Sequence, residues 1–331
     1  MPPSDSGSAR IPLDEEYEPY LANDAATISS ARTVATAANN FRVENGRTYH
    51  SFRDGEYCFP NDAMAQRHEE TINHLCLMSM RDRLFLAPIG DNPKNILDIG
   101  TGIGLWAIDM ADKFPSANII GTDLSPVSTA MVPSNVTFEI DDCTADWLYP
   151  PDHFDFIHLR GLLGSIRDWP ALYKQAFGHL APGGYIEHAE GDWNLQCLSR
   201  TGEPMEPGPE IAQWYENFCK LGNQTGKTFR IAERMKEYIT EAGFVDVVEQ
   251  RLKWPIGSWS SDRHFKELGE LNLIGNWDQG VEGWAMALYT RELNWTPEQV
   301  REFVQSVKIA LRDRDRRYYH EIRVVYAKKP L

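Results

Sequence analysis

No apolar run in this 331-residue chain approaches the roughly 18–20 residues that a membrane-spanning helix needs, so no membrane span is expected. The N-terminus also lacks the apolar core of a secretory signal, which points to an intracellular, cytoplasmic protein and leaves a nuclear location open. Basic charge is in short supply: 33 Lys and Arg stand against 48 Asp and Glu, a formal balance of −15. This balance argues against direct nucleic-acid binding, since phosphate contacts need a basic surface, whereas a basic protein partner is compatible. The five cysteines (Cys58, Cys76, Cys143, Cys197, Cys219) are odd in number and form no CxxC pair. They argue for free thiols, against a disulfide framework and against a metal site. No internal repeat occurs, and no low-complexity tract follows the N-terminal tail.

What is present is the composition of a folded protein, 42% hydrophobic with ten tryptophans. Residues 1–40, rich in Pro, Ser, Asp and Ala, read as a disordered or weakly ordered tail. Residues 41–93 read as a helical N-terminal extension or lid. Within it Pro60-Asn61-Asp62 starts a helix, because Asn and Asp side chains accept from its unpaired amides. Ile72, Leu75 and Met78 then share one face of that helix.

Residues 94–192 alternate between strand and helix. Strands are predicted at Asn95–Ile99, Ala117–Thr122, Val136–Ile140, Phe154–Leu159 and Gly184–His188. Helices are predicted at Leu105–Phe114 and Pro170–Leu180, with a short one near Pro126–Met131. The order implies a parallel sheet with right-handed crossovers, an α/β fold. Residues 193–331 add helices at Glu210–Leu221 and Phe229–Ala242, a strand at Val245–Trp254, and a mostly helical stretch from Asp262 to Arg317. A last strand at Tyr318–Lys328 makes that stretch an insertion, a helical cap at the sheet edge.

The chemistry concentrates in Asp98-Ile99-Gly100-Thr101-Gly102-Ile103-Gly104, a buried strand that breaks into a glycine turn before a helix. About twenty residues on, the next strand ends in Asp123, the usual place for an acid that accepts ribose hydroxyls. The glycines read GxGxG rather than the dinucleotide GxGxxG, and the acid before them favours a ligand with a cationic amine. S-adenosylmethionine carries one. Asp142 and Cys143, past the third strand, would flank its adenine, and Arg160, ending the fourth, would lie beside it. Trp106 reads as core.

Several motifs carry a family resemblance. They are Glu44-Asn45-Gly46-Arg47-Thr48-Tyr49-His50, Pro60-Asn61-Asp62, Leu97-Asp98-Ile99-Gly100-Thr101-Gly102 and Gly121-Thr122-Asp123-Leu124-Ser125-Pro126, with Phe154–Arg160 and Pro182–Glu187. Together they resemble the LaeA-like group of class I, S-adenosylmethionine-dependent methyltransferases of filamentous fungi, tied to secondary metabolism. The resemblance runs from about residue 41 to the end. It implies a Rossmann-like, seven-strand sheet with an antiparallel last strand, and either a small-molecule acceptor or a regulatory protein partner. One departure is Val127-Ser128-Thr129, where the group usually has Ile-Gln-Pro.

The expected cofactor contacts are Asp98, Gly100, Thr101, Gly102, Gly104, Asp123, Leu124, Asp142, Cys143 and Arg160, with Tyr49 and Tyr57 as lid residues or plain packing. His158, Glu187 and His188, at strand ends, are candidates for a general base, His158 being either base or structural support. Trp254, Trp259, Trp277 and Trp284 either line an acceptor pocket or fill the core.

Overall fold

Parallel strands need long crossovers, and the amphipathic stretches between the apolar runs supply them as helices. The computed structural model describes residue 11 and residues 41–53, 55–127 and 131–331. The tail of residues 1–40 otherwise lies outside the described residues. A β-hairpin comes first, β1 (Arg42–Glu44) and β2 (Arg47–Tyr49), turned by Asn45 and Gly46 at φ 50° and 80°. Both central residues of such a tight hairpin turn need positive φ, which Asn-Gly supplies. This hairpin adds a strand pair ahead of the expected helix of the extension. Helix α1 (Ala63–Ser79) follows, with Asp62 accepting from the amides of Met64 and Ala65.

The sheet is built from β3 (Asn95–Ile99), β4 (Asn118–Asp123), β5 (Val136–Ile140), β6 (Phe154–Arg160) and β7 (Leu180–Gly191). Helix α2 (Leu105–Lys113) joins β3 to β4, and α3 (Trp169–His179) joins β6 to β7. Beyond them lie β8 (Gln196–Ser199), β9 (Pro204–Met205), α4 (Pro209–Thr225), α5 (Met235–Glu241) and β10 (Val245–Pro255). The insertion comprises α6 (Arg263–Leu271), a π-helical segment (Asn272–Trp277), α7 (Asp278–Glu292) and α8 (Pro297–Ala310), before β11 (Arg316–Lys328) closes the chain.

Strand order is β5-β4-β3-β6-β7-β11, with β10 on the other edge of β11. Strand β11 is antiparallel to both neighbours while β3 to β7 are parallel, the expected Rossmann-like arrangement. The short β8 and β9, which no sequence signal marked, extend the sheet to nine strands along residues 316–319 of β11. The expected helix Phe229–Ala242 divides into a single 3₁₀ turn at Ile231–Glu233 and α5. The short helix expected near Pro126–Met131 falls partly outside the described residues, and Pro126, Val127 and Met131 are not helical.

One sheet face carries Ile96 and Phe156 against Trp106 and Met110 of α2. The other carries Leu97, Ile157, Leu159 and Ile186 into a larger core with Trp169, Tyr173 and Trp214. Helix α1 packs against α6, the π-helical segment and α7, so the N-terminal segment and the insertion meet over the sheet.

Candidate active site

A cavity of about 530 Å³ lies over the C-terminal ends of the parallel strands. Its floor begins at the glycine turn, where the amides of Gly100 and Thr101 both donate to the carbonyl of Thr122 at 2.9 Å. Gly102 has φ +58°, and a Cβ there would overlap the Glu69 carboxylate. Only glycine leaves that cradle open to a ligand. Gly104 has φ +82° but does not line the cavity; it caps α2 and faces Phe138. Its expected cofactor contact is corrected, because the turn has already passed behind the floor there.

Asp123 ends β4 at the cavity wall, its carboxylate accepting from the amides of Gly102 and Ser125 at 2.9 Å each. Burial outweighs those bonds and raises its pKa to about 6. Leu124 and Ser125 follow on the same wall, and Asn61 donates to the Ser125 hydroxyl at 3.2 Å, joining two of the sequence motifs. Further along, Asp142 accepts from the amide and hydroxyl of Thr144 and pairs with Arg53 at 3.4 Å. The neighbouring Cys143 thiol is pushed up to about 12, chiefly by burial. Both line the cavity.

Helix α1 forms the roof. Ala65, His68, Glu69, Ile72, Asn73 and Cys76 line it at helical spacing, and Tyr57 joins them from the preceding loop. Glu69 accepts from the amide of Ile103 at 3.0 Å, bridging roof and glycine turn. Burial first, then the charge of Asp123, raises its pKa to about 7. Arg160 reaches from the end of β6 to Asn73 at 2.8 Å and ties α1 to the sheet. Sequence reading missed Glu69; its position on the same face as Ile72 was the available signal.

Five other expected site residues lie off the cavity wall. Asp98 is 3% exposed and spends its carboxylate on the Thr101 hydroxyl at 2.6 Å and on His158 Nδ1 at 2.8 Å. His158 is its register partner on β6, stacked on Trp106 with ring centroids 3.8 Å apart. Glu187, the next residue across the sheet, accepts from the amides of Leu86 and Ala87 and pins that segment. His188 points to the opposite face, against Trp169, with Nδ1 2.8 Å from the Tyr173 hydroxyl. The catalytic reading of His158, Glu187 and His188 is therefore corrected to packing and support, because α2, α3 and the segment at residues 84–89 cover those strand positions. Tyr49 likewise is packing: its buried ring lies beneath the Arg291 guanidinium, 4.9 Å away. Glu190, on β7, does reach the cavity and accepts from the amide of Leu162 at 2.8 Å.

The cavity continues away from the turn into an aromatic chamber. Trp254, Trp277 and Trp284 line it, with Trp193, which sequence reading had not singled out. Trp193 and Trp284 have ring centroids 5.3 Å apart, and Trp277 stands edge-on to Trp284 at 5.4 Å. Trp259 is core, its indole donating to the carbonyls of Ile256 and Tyr318. The chamber also contains His68, Asn276 and His320.

The residues at the turn fit S-adenosylmethionine. The Gly102 cradle excludes a side chain, Asp123 offers acceptor oxygens for ribose hydroxyls, and two carboxylates of raised pKa suit a ligand with cationic groups.

A family model described as a methyltransferase domain matches residues 67–250. The chain is 37% identical over 307 residues to methyltransferase pytC of Aspergillus terreus, covering 92% of this chain and 93% of that one. It is 33% identical over 300 residues to the secondary metabolism regulator LAE1 of Cochliobolus heterostrophus, covering 89% and 96%. Protein-methionine methyltransferase laeA of Emericella nidulans is 31% identical over 320 residues, covering 95% of this chain and 83% of that one. Among the described residues no helix is long and apolar enough to cross a membrane.

Proposed function

The chain belongs to the S-adenosylmethionine-dependent methyltransferases, in the group of pytC and the laeA regulators of fungal secondary metabolism, and we propose that it methylates an oxygen or nitrogen of a small molecule. The observation that carries this reading is the continuity of one cavity from the glycine turn to the tryptophan chamber. A cofactor seated at the turn needs a second space beside it for the group that receives the methyl.

When bound, the cofactor supplies a methyl group made electrophilic by a positively charged sulfur. Asp123 would accept from the ribose hydroxyls, and the Gly100–Ile103 turn would let the ligand approach the backbone closely. Asp142 and Cys143, further along the same wall, would flank the adenine, and Arg160 holds the roof helix in place over the site. The four tryptophans hold a flat, apolar acceptor and keep water out. Much of the rate of methyl transfer comes from such holding and exclusion.

The test is incubation of the purified protein with S-adenosylmethionine and a panel of phenolic, enolic and amine metabolites. A product heavier by one methylene supports the reading, and no product from any acceptor removes it.

Identity of 31–33% to two proteins of the regulator group supports a second reading, in which the protein acts through partners with weak or protein-directed methyl transfer. The acidic balance of −15 suits a basic partner surface. Stable capture of one defined partner, without turnover of any metabolite, is the result that favours it.

A further inference from the structure

His68 is the neighbour of Glu69 on α1, yet it faces the tryptophan chamber rather than the glycine turn. It lines the cavity, its ring edge-on to Trp284 at 5.2 Å. Gly280 of α7 makes room for it, since a Cβ there would overlap the ring at Nε2. Behind the ring runs a chain of buried side chains. His68 Nε2 is 2.8 Å from the Asn276 amide, and Asn276 is 2.8 Å from Asn272. Asn272 in turn stands 2.7 Å from the Pro255 carbonyl and 3.2 Å from His320 Nε2.

That chain has one possible direction. The Pro255 carbonyl can only accept, so the Asn272 atom facing it is the NH₂ group, whose second hydrogen goes to His320 Nε2. Asn272 therefore turns its oxygen to Asn276, which must donate through its own NH₂. Asn276 then turns its oxygen to His68, and an oxygen there requires a proton on Nε2. A backbone carbonyl three side chains away thus fixes the tautomer of His68 and leaves a lone pair on Nδ1. Among the described residues the ring's one side-chain hydrogen bond is at Nε2, and the Asn276 main chain also interacts with the ring. The two asparagines sit four apart in the π-helical segment, a wider turn found frequently at functional sites.

We propose that His68 is the general base of the methyl transfer, a role that rests on the small-molecule reading above. Nδ1 takes the proton of the acceptor hydroxyl or amine as that oxygen or nitrogen bonds to the methyl carbon. The carbon–sulfur bond breaks at the same time, and its electron pair stays on sulfur. The imidazolium so formed is held through Nε2–H by Asn276 and returns its proton to solvent after product leaves. Burial lowers the His68 pKa, and the charge of Arg47 on β2 lowers it further, so the ring is neutral near pH 7. Glu69 points its carboxylate to Ile103 instead, and α7 and the π-helical segment present Gly280, Trp284 and Asn276, none of them charged.

Full-length protein with ¹⁵N-labelled histidine reads the tautomer directly, with the His68 signals assigned by their loss in His68→Gln. The expected result near neutral pH is Nε2–H with unprotonated Nδ1 for His68, and the opposite tautomer for His320. Asn276→Asp should raise the His68 pKa by about one unit or more, since a carboxylate at hydrogen-bond distance favours imidazolium. An Nδ1–H tautomer, or free exchange between the two, overturns the proposal. With an acceptor that wild type methylates, His68→Gln should retain S-adenosylhomocysteine affinity while turnover falls on the order of 10²-fold or more. Undiminished turnover with an unchanged pH profile overturns the base role alone. Absence of turnover in wild type overturns the small-molecule reading, and the base role falls with it.

Discussion

Glu69 Oε2 stands 3.0 Å from the amide nitrogen of Ile103, so one carboxylate joins the roof helix α1 to the turn between β3 and α2. It is also the group that overlaps any side chain added at Gly102. A ligand seated on the turn must meet it. With a pKa raised to about 7, chiefly by burial, Glu69 binds more protons in the folded than in the unfolded protein. Its contribution to stability is then fully present below its ordinary value near 4.5 and lost as pH rises through about 7. A cation beside it reverses that loss by favouring the ionised form. S-adenosylmethionine, which carries the sulfonium charge that S-adenosylhomocysteine lacks, should raise the melting temperature more than the latter does. The margin should widen from pH 5.5 to pH 8 in wild type and shrink in Glu69→Gln. Equal margins at both pH values would remove Glu69 from the cofactor site.

Asp123 is held by two backbone amides and faces the cavity. Replacing it by Ala takes away the acceptor for the ribose hydroxyls without removing much packing. Titration calorimetry with S-adenosylhomocysteine should show binding weaker by about 1–3 kcal/mol. An unchanged affinity means the nucleoside lies elsewhere.

Glu187 gives a prediction in which stability and catalysis separate. Burial pushes its pKa to about 7 despite the two amides that donate to it, at 2.7 and 2.6 Å. Its stabilising effect is present below pH 4.5 and disappears as pH passes about 7. Urea unfolding of wild type should therefore show a loss between pH 5 and pH 8 that Glu187→Gln reduces by on the order of 2 kcal/mol. Turnover at pH 7 should be unaffected, because the side chain is sealed beneath residues 86 and 87. A variant that folds but loses turnover selectively would restore Glu187 as a catalytic candidate.

Strand limits were legible where apolar runs end in turn chemistry: Asn95–Ile99 and Val136–Ile140 match to the residue, and Asp62 caps α1 as its side chain predicts. Asp123, Asp142 and Gly102 were legible because a motif at each strand end has a place waiting at the sheet edge. Glu69 and His68 carry no such motif. Their significance depends on partners 34 and 208 residues away along the chain, which no local pattern reveals. The π-helical turn at Asn272–Trp277 was also hidden, since one widened turn hardly changes apolar periodicity. His158, Glu187 and His188 misled for the opposite reason. Their place on parallel strands suggested the edge, but they belong to rows already roofed by Trp106, residues 84–89 and Trp169.

The central claim is that one cavity holds the cofactor at its glycine end and the acceptor among the tryptophans. A crystal structure of the complex with S-adenosylhomocysteine tests it most directly. The account predicts ribose hydroxyls on Asp123, adenine beside Asp142 and Cys143, and the sulfur directed past Glu69 toward His68 and Trp284, with the chamber beyond still open. A nucleoside found in the tryptophan chamber, or a chamber closed when the cofactor site is filled, would contradict it.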